Sequence, residues 1–250
     1  MNLKRTYKRG IGRVYVDNDN REYPSVTTVL GSTLAPGPWL EKWKKKLQRE
    51  AFREQYEIRA LEQGDGRVDV YDIFDESLEA PNIYRNSKGD LGTFYHHAIE
   101  AYLKGTPTNE YLAQDPRVED VLHGVADWEE KHKISPVKIE HYIASKRWGF
   151  AGTIDLVAHT TRDHGKELVL VDWKTGSTQE DQKMQLAAYC IAYEETYNEG
   201  PNIAFFCKID VEKATVREAG HIHNYEISRQ FDLFLAAFKL WKHRTKAYVG

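Results

Sequence analysis

Residues 166–175 read KELVLVDWKT, a run of alternating apolar side chains that ends in an acid, a tryptophan and a lysine. Side chains of a β-strand alternate between its two faces. One face therefore carries Leu168, Leu170, Asp172 and Lys174, and the other carries Val169, Val171 and Trp173. Both faces are apolar up to Asp172, which predicts a strand buried on both sides, as in a sheet covered by helices.

The charges at the end of this strand require compensation. Burying Asp172 and Lys174 costs several kcal/mol for each charge unless other groups stabilise them. One interpretation is an internal ion pair between the two side chains. The other is a site in which a metal ion and a phosphate stabilise them.

The stretch FAGTIDLVAH, residues 150–159, predicts a neighbouring strand with a second acid. Strict alternation places Thr153, Asp155 and Val157 on one face and Gly152, Ile154 and Leu156 on the other. A hairpin around residues 160–166 would bring Asp155 close to Asp172. Two adjacent carboxylates repel each other unless a cation lies between them, and such oxygen ligands suit one or two Mg²⁺ or Mn²⁺ ions.

The surrounding chain predicts one α/β domain over residues 1–250, with a central mixed sheet flanked by helices. Four segments make up that domain. They are a basic N-terminal arm (1–22), a mainly helical part (23–135) with an irregular insertion (65–90), the sheet with a further helix (136–220), and a C-terminal helix (221–250). The basic residues at the start of the arm indicate either a solvated tail or a DNA-contacting arm. Strands at 137–145, 150–159 and 166–175 follow one another closely, which predicts an antiparallel meander.

Five motifs follow one another along the chain: GTFYHHAIE (92–100), the acid of VKIEHYIAS (137–145), GFAGTIDLVA (149–158), VDWKTG (171–176) and QLAAY (185–189). This set resembles the RecB-like branch of the PD-(D/E)XK nucleases, which includes phage exonucleases and mitochondrial genome maintenance exonucleases. PSVTTVL and the WLEKW helix extend the resemblance to roughly residues 23–210. It implies a restriction-endonuclease-like core with helical additions.

The resemblance also implies roles for individual residues. Asp155 and Asp172 would be metal ligands, the backbone carbonyl of Trp173 would add a ligand, and Lys174 would act on the attacking water. His96 matches the metal-binding histidine of the branch, because the GTxxHxxIE spacing selects it over its neighbour His97.

Further residues have weaker assignments. Glu140 matches an acid on the first strand, and the sequence leaves open whether it contacts metal, water or only Arg147. Glu100, one helical turn after His96, either orients that histidine or is a solvated charge. Gln185 and Tyr189 match a QxxxY element and would bind substrate, as would Lys146 and Arg147 through phosphate contacts.

These expectations describe a Mg²⁺- or Mn²⁺-dependent deoxyribonuclease. We expect an exonuclease acting on DNA with a free end, preferably single-stranded, in replication, recombination or repair, of phage or related origin. The alternatives are a structure-specific or double-strand exonuclease or endonuclease of the same fold, and a nucleic-acid-binding module without activity.

Composition narrows the class of protein. A net charge of −3 argues against polyanion binding over the whole surface, so DNA would be held by local basic patches. Two cysteines are too few for an iron–sulfur cluster, and no GxxxxGK[ST] motif of a fused helicase occurs. Without a long apolar run, we expect no membrane association and a cytoplasmic location in a bacterial or phage-infected cell, in preference to an organellar matrix.

Overall fold

The computed structural model describes residues 2–34, 38–63, 68–161, 165–175 and 180–245. The chain divides into two compact units, Met1–Leu34 with Phe94–Gly250, and Ala35–Thr93. The single domain over residues 1–250 stays a prediction.

The described strands are β1 (Lys4–Lys8), β2 (Gly12–Val16), β3 (Glu22–Pro24), β4 (Ile134–Ser145), β5 (Phe150–Thr160), β6 (Glu167–Lys174), β7 (Ile203–Asp210) and β8 (Thr215–His223). The described helices are α1 (Val26–Thr33), α2 (Pro38–Gln63), α3 (Val70–Leu103), α4 (Asn109–Gln114), α5 (Arg117–His132), α6 (Asp181–Tyr197) and α7 (Asn224–Thr245).

The larger unit is built on a five-stranded sheet in the order β4-β5-β6-β7-β8. Neighbouring strands are antiparallel except β6 and β7, which are parallel. The predicted meander of β4, β5 and β6 is therefore correct. Parallel neighbours need a crossover connection, and α6 lies in the chain between β6 and β7. A mixed α/β fold with a central mixed sheet is confirmed.

Helices cover both faces of this sheet. Leu168 and Leu170 of β6 are buried in one apolar cluster with residues of α1, α6 and α7. Trp173 faces the other way, and its ring lies 5.5 Å from that of Trp128 on α5. The side chains of β6 therefore alternate between two covered faces, as predicted. Five large apolar side chains of α7 are buried in the same cluster: Ile227, Phe231, Phe234, Phe238 and Trp241.

The interpretation of the N-terminal arm as a solvated tail is wrong. Residues 4–16 form the antiparallel hairpin β1–β2, which β3 extends to a three-stranded sheet. The basic residues that suggested a solvated tail belong to a strand with five exposed positions, whereas Val14 and Tyr15 of β2 are buried. The high charge of β1 concealed the short apolar run GRVYV.

The irregular insertion predicted over residues 65–90 is also wrong from Val70 onward, where α3 begins; residues 64–67 lie outside the described part of the chain. The buried positions Ile73, Ser77 and Pro81 are four residues apart. Such a narrow stripe, with a single large aliphatic side chain, carries little of the periodicity from which helices are predicted. In the same unit Arg59 of α2 pairs with Glu76 of α3 at 2.6 Å.

The C-terminal helix starts later than predicted. Its predicted first residues, His221 to His223, instead end β8, because they pair with β7 through Phe205, Ala204 and Ile203. None of the helices in the described ranges is long and apolar enough to cross a membrane.

Candidate active site

One histidine and two carboxylates from three different elements converge in the larger unit. His96 lies on α3, Glu140 on β4 and Asp155 on β5, and one ligand atom from each lies within 4.8 Å of the other two. His96 Nδ1 is 3.6 Å from Asp155 Oδ2. His97 is exposed on the same helix.

Irregular backbone on both strands accompanies this convergence. The pairs Ile139 with Leu156 and His141 with Ile154 flank Glu140, whose φ of 47° lies in the left-handed region. A residue other than glycine in that region costs about 1–3 kcal/mol, and such residues concentrate at functional sites. The local strand geometry is therefore distorted where the two carboxylates meet.

The strict alternation of side chains predicted for β5 is wrong at the positions opposite Glu140. Ile154 and Val157 are buried in the same apolar cluster, together with residues of α6. Residues three apart cannot share a face of a regular strand, so the alternation shifts by one position between them. Asp155 lies in this shifted segment, which a periodicity argument from the sequence cannot detect.

Asp172 and Lys174 lie beside the trio of His96, Glu140 and Asp155. Leu156 of β5 pairs with Val171 of β6, so the next residues of the two strands are Asp155 and Asp172. Lys174 Nζ lies 2.7 Å from Asp172 Oδ2. Gln185 of α6 donates its amide N–H to Asp172 Oδ1 at 2.9 Å. The Asp172 carboxylate is thus held by two side chains and is adjacent to the trio rather than one of its members.

The other predicted residues of this region also converge. Trp173 donates its backbone N–H to Asp155 Oδ2 at 2.8 Å, and a ligand role for its carbonyl stays a prediction. Gln185 donates to the hydroxyl oxygen of Tyr189 at 3.2 Å, so the amide connects the phenol to Asp172. Glu100 pairs with Lys104 on α3.

The carboxylates of the trio hold protons more tightly than ordinary acids. Burial, with the charges of Asp155 and Glu100, raises the pKa of Glu140 to about 8. Burial raises the pKa of Asp155 to about 6 even though His96 opposes the shift. Burial favours the neutral amine of Lys174, but Asp172 and Asp155 outweigh it and raise the pKa of that lysine. Lys174 is therefore an ammonium at neutral pH.

The donor set fits a divalent cation. An imidazole and two carboxylates are ligands of Mn²⁺, and the carboxylates also suit Mg²⁺. Burial is the largest cause of both raised pKa values, the charge of Asp155 adds to it at Glu140 and the charge of Asp172 adds to it at Asp155, and a bound cation would offset these repulsions. His96, Glu140 and Asp155 would hold the ion, with Asp172 adjacent.

The basic residues predicted to bind substrate lie in the turn that joins β4 and β5, whereas Glu140 and Asp155 lie near the middle of these strands. Lys146 and Arg147 are exposed in the turn between the strands. The turn is anchored to α6, because Ser145 Oγ (2.5 Å) and the Arg147 backbone N–H (2.9 Å) both donate to the carboxylate of Glu195. Five strand positions separate Phe150 from Asp155, about 17 Å at the usual rise. The structure does not bring the two cations to the trio.

Gly152 makes the close packing of Tyr189 possible. A Cβ added to Gly152 would lie 2.3 Å from Cε1 of Tyr189 and 3.0 Å from its hydroxyl oxygen. The absence of a side chain at this position therefore admits the phenol that Gln185 contacts. The sequence interpretation assigned no role to Gly152, although a glycine within a buried strand signals a close approach.

We expect Gly152→Ala to lower the free energy of unfolding by about 1–3 kcal/mol, because Tyr189 must move out of an already packed core. The shift should also reduce activity by disturbing Gln185. Urea denaturation and a cleavage assay measure the two effects. Gly31→Ala in α1 is the matched control, since its added Cβ would meet nothing within 4 Å. Equal stability of the two variants would contradict the packing argument.

Comparison with known proteins identifies the family. The family model described as the PD-(D/E)XK nuclease superfamily matches residues 73–245. The chain belongs to the PD-(D/E)XK nuclease superfamily. The matched range contains the whole five-stranded sheet, the convergent trio, α6 and α7, and it confirms the superfamily predicted from the sequence motifs.

A search of curated proteins found no match. A crystal structure described as a "putative exonuclease" from Eubacterium rectale is similar with a TM-score of 0.45 and 10% sequence identity, over 64% of this chain and 69% of the other.

Proposed function

We propose that this nuclease is a divalent-metal-dependent deoxyribonuclease that uses Mg²⁺ or Mn²⁺. The observation that carries the proposal is the convergence of His96, Glu140 and Asp155 beside the Asp172–Lys174 pair. An internal ion pair explains Asp172 and Lys174 but leaves the neighbouring trio, with its two proton-binding carboxylates, without a role.

Each residue of the site has a distinct task in phosphodiester hydrolysis. A cation held by His96, Glu140 and Asp155 would supply positive charge to the phosphate. Lys174, as an ammonium, donates hydrogen bonds and so stabilises negative charge or orients the attacking water. Asp172 and Gln185 hold the lysine and the strand end in place. A new P–O bond forms to water while the bond to the leaving oxygen breaks.

The finer part of the proposal concerns the substrate. We propose an exonuclease of the RecB-like branch that acts on DNA with a free end, preferably single-stranded, in replication, recombination or repair. The support is the order of the sequence motifs, GTFYHHAIE through QLAAY. A double-strand or structure-specific enzyme would give a different substrate order in the experiment that follows.

A digestion time course tests the reaction and the substrate together. Single- and double-stranded DNA labelled at the 5′ or 3′ end should be degraded with Mg²⁺ or Mn²⁺ and remain intact in EDTA. We expect linear single strands to be cut fastest and closed circles to resist. Cleavage in EDTA would contradict the metal requirement, and equal cleavage of circles would identify an endonuclease. Binding without any cleavage would identify an inactive module.

The raised pKa values predict how stability depends on pH. Because Glu140 and Asp155 keep protons in the folded protein that the unfolded chain releases, stability of the metal-free protein should fall as pH rises from about 5 to about 8. Mn²⁺ should raise the melting temperature more at pH 8 than at pH 5.

Glu140→Gln isolates this effect from other titrating groups. The variant removes one of the two raised pKa values, so its melting temperature should fall less over the same pH range. Thermal unfolding of both proteins in EDTA and in Mn²⁺ provides the measurement. Parallel curves for wild type and variant would show that Glu140 does not carry the dependence.

A further inference from the structure

An arginine of the N-terminal hairpin lies beside the candidate active site. Arg5 of β1 pairs in register with Tyr15 of β2. Its guanidinium carbon lies 5.9 Å from the centre of the Tyr142 ring on β4. Tyr142 follows Glu140 by two residues on β4, so the ring that Arg5 contacts lies close to the carboxylate-bearing position.

The hairpin is fastened to the same two strands that carry the carboxylates. The hydroxyl groups of Tyr15 and Thr153 share a hydrogen bond of 2.8 Å, and Thr153 precedes Asp155 by two residues. The Tyr15 and Tyr142 rings meet edge to face at 5.6 Å. A small buried cluster joins the two sheets through Leu3, Tyr15, Tyr23, Ala144 and Ala151. The position of Arg5 is therefore set by packing rather than by a loose tail.

The charge of Arg5 is available to a ligand. Its side chain is exposed and takes part in none of the ion pairs among the described residues, although its charge reaches Glu140 and opposes the rise in the pKa of that acid. Lys8 of the same strand, in contrast, pairs with Glu22 at 2.6 Å. A guanidinium held against an aromatic ring presents N–H groups in a planar fork that matches a phosphate.

We propose that Arg5 binds a phosphate of the DNA strand close to the one being cleaved, so that the β1–β2 hairpin forms one wall of the DNA-binding cleft. This inference rests on the proposed deoxyribonuclease function. Arg5 is a positioning residue, because it acts on the strand and not on the reacting atoms. The hairpin lies outside residues 73–245, the range that matches the superfamily.

Binding of a fluorescein-labelled single-stranded oligonucleotide, measured by anisotropy in EDTA over a range of KCl concentrations, tests the contact without cleavage. Arg5→Gln keeps part of the aliphatic stem and removes the charged guanidinium that lies over the Tyr142 ring. We expect about tenfold weaker binding and a salt dependence of log Kd reduced by about 0.7, the value for one lost phosphate contact on a single strand. Arg5→Lys should restore the salt dependence but not the full affinity.

Arg9→Gln is the matched control, because it removes the same charge at the exposed turn of the same hairpin, four positions from Arg5. It should bind within about twofold of wild type. In the cleavage assay Arg5→Gln should raise KM more than it lowers kcat. Melting temperatures of all variants establish that they are folded.

Three results would overturn the inference: unchanged binding by Arg5→Gln, equal losses in Arg5→Gln and Arg9→Gln, or a loss confined to kcat. The last would place the effect of Arg5 on Glu140 and not on DNA. If wild type cleaves DNA in any of these cases, the proposed function stands without the Arg5 contact. If wild type neither binds nor cleaves DNA, the proposed function itself fails.

Discussion

Asp155→Asn should reduce kcat/KM for DNA cleavage by at least about 10³-fold. Asp155 accepts the backbone N–H of Trp173 and lies within reach of His96 and Glu140, so it is central to the proposed cation site. A catalytic cation contributes several kcal/mol to stabilising transition-state charge, and about 4 kcal/mol corresponds to 10³-fold in rate. Asparagine can still accept the Trp173 N–H, so the fold should persist.

A second readout separates this effect from misfolding. Because the variant no longer buries a carboxyl group beside Glu140, its metal-free form should be at least as stable as wild type at pH 8, and Mn²⁺ should raise its melting temperature much less. Asp127→Asn, the same change on the exposed face of α5, is the control. A variant retaining more than a tenth of wild-type activity would exclude Asp155 from the site.

Lys174→Met should lower cleavage by about 10²–10³-fold while leaving the Mn²⁺-induced rise in melting temperature in place. The variant removes the charge that we propose to stabilise the reacting phosphate and keeps the trio that we propose to bind the cation. Asp172, a buried carboxylate, also loses its partner at 2.7 Å, so the free energy of unfolding should fall measurably. Steady-state kinetics and urea denaturation measure the two effects.

Lys174→Arg distinguishes two roles for the lysine. Arginine keeps a positive charge and cannot act as a base in proteins. If Lys174 works as an ammonium, the arginine variant should be roughly tenfold more active than the methionine variant. Equal activities would instead indicate that the lysine must lose its proton. Lys239→Met, on the exposed surface of α7, controls for the loss of a surface charge.

A double variant distinguishes the proposed active site from a purely structural ion pair, because the two interpretations predict different activities for it. Asp172→Asn with Lys174→Met removes both charges and should recover stability lost in Lys174→Met. If the pair were only structural, activity would recover with stability. We expect stability to recover without activity.

Sequence patterns correctly predicted those parts of the fold that depend on residues close together in the chain. The alternation of β6 follows from period-two packing between α5 on one face and α6 and α7 on the other, and it is correct from Leu168 to Lys174. The meander of β4, β5 and β6 followed from short connections. In contrast, β1 and the part of α3 before residue 91 were missed, because a highly charged edge strand and a helical segment with one narrow buried stripe lack a strong apolar period.

The sequence alone determined which chemistry this protein carries: two acids and a lysine on buried strands, a histidine in GTFYHHAIE, and the superfamily to which they belong. Only the tertiary structure decided which groups meet. It gathers His96 with Glu140 and Asp155, holds Asp172 with Lys174 and Gln185, and sets Arg5 beside Tyr142. The physical reason is that the trio joins three elements distant in the chain. It also includes a left-handed backbone at Glu140, which no residue pattern specifies.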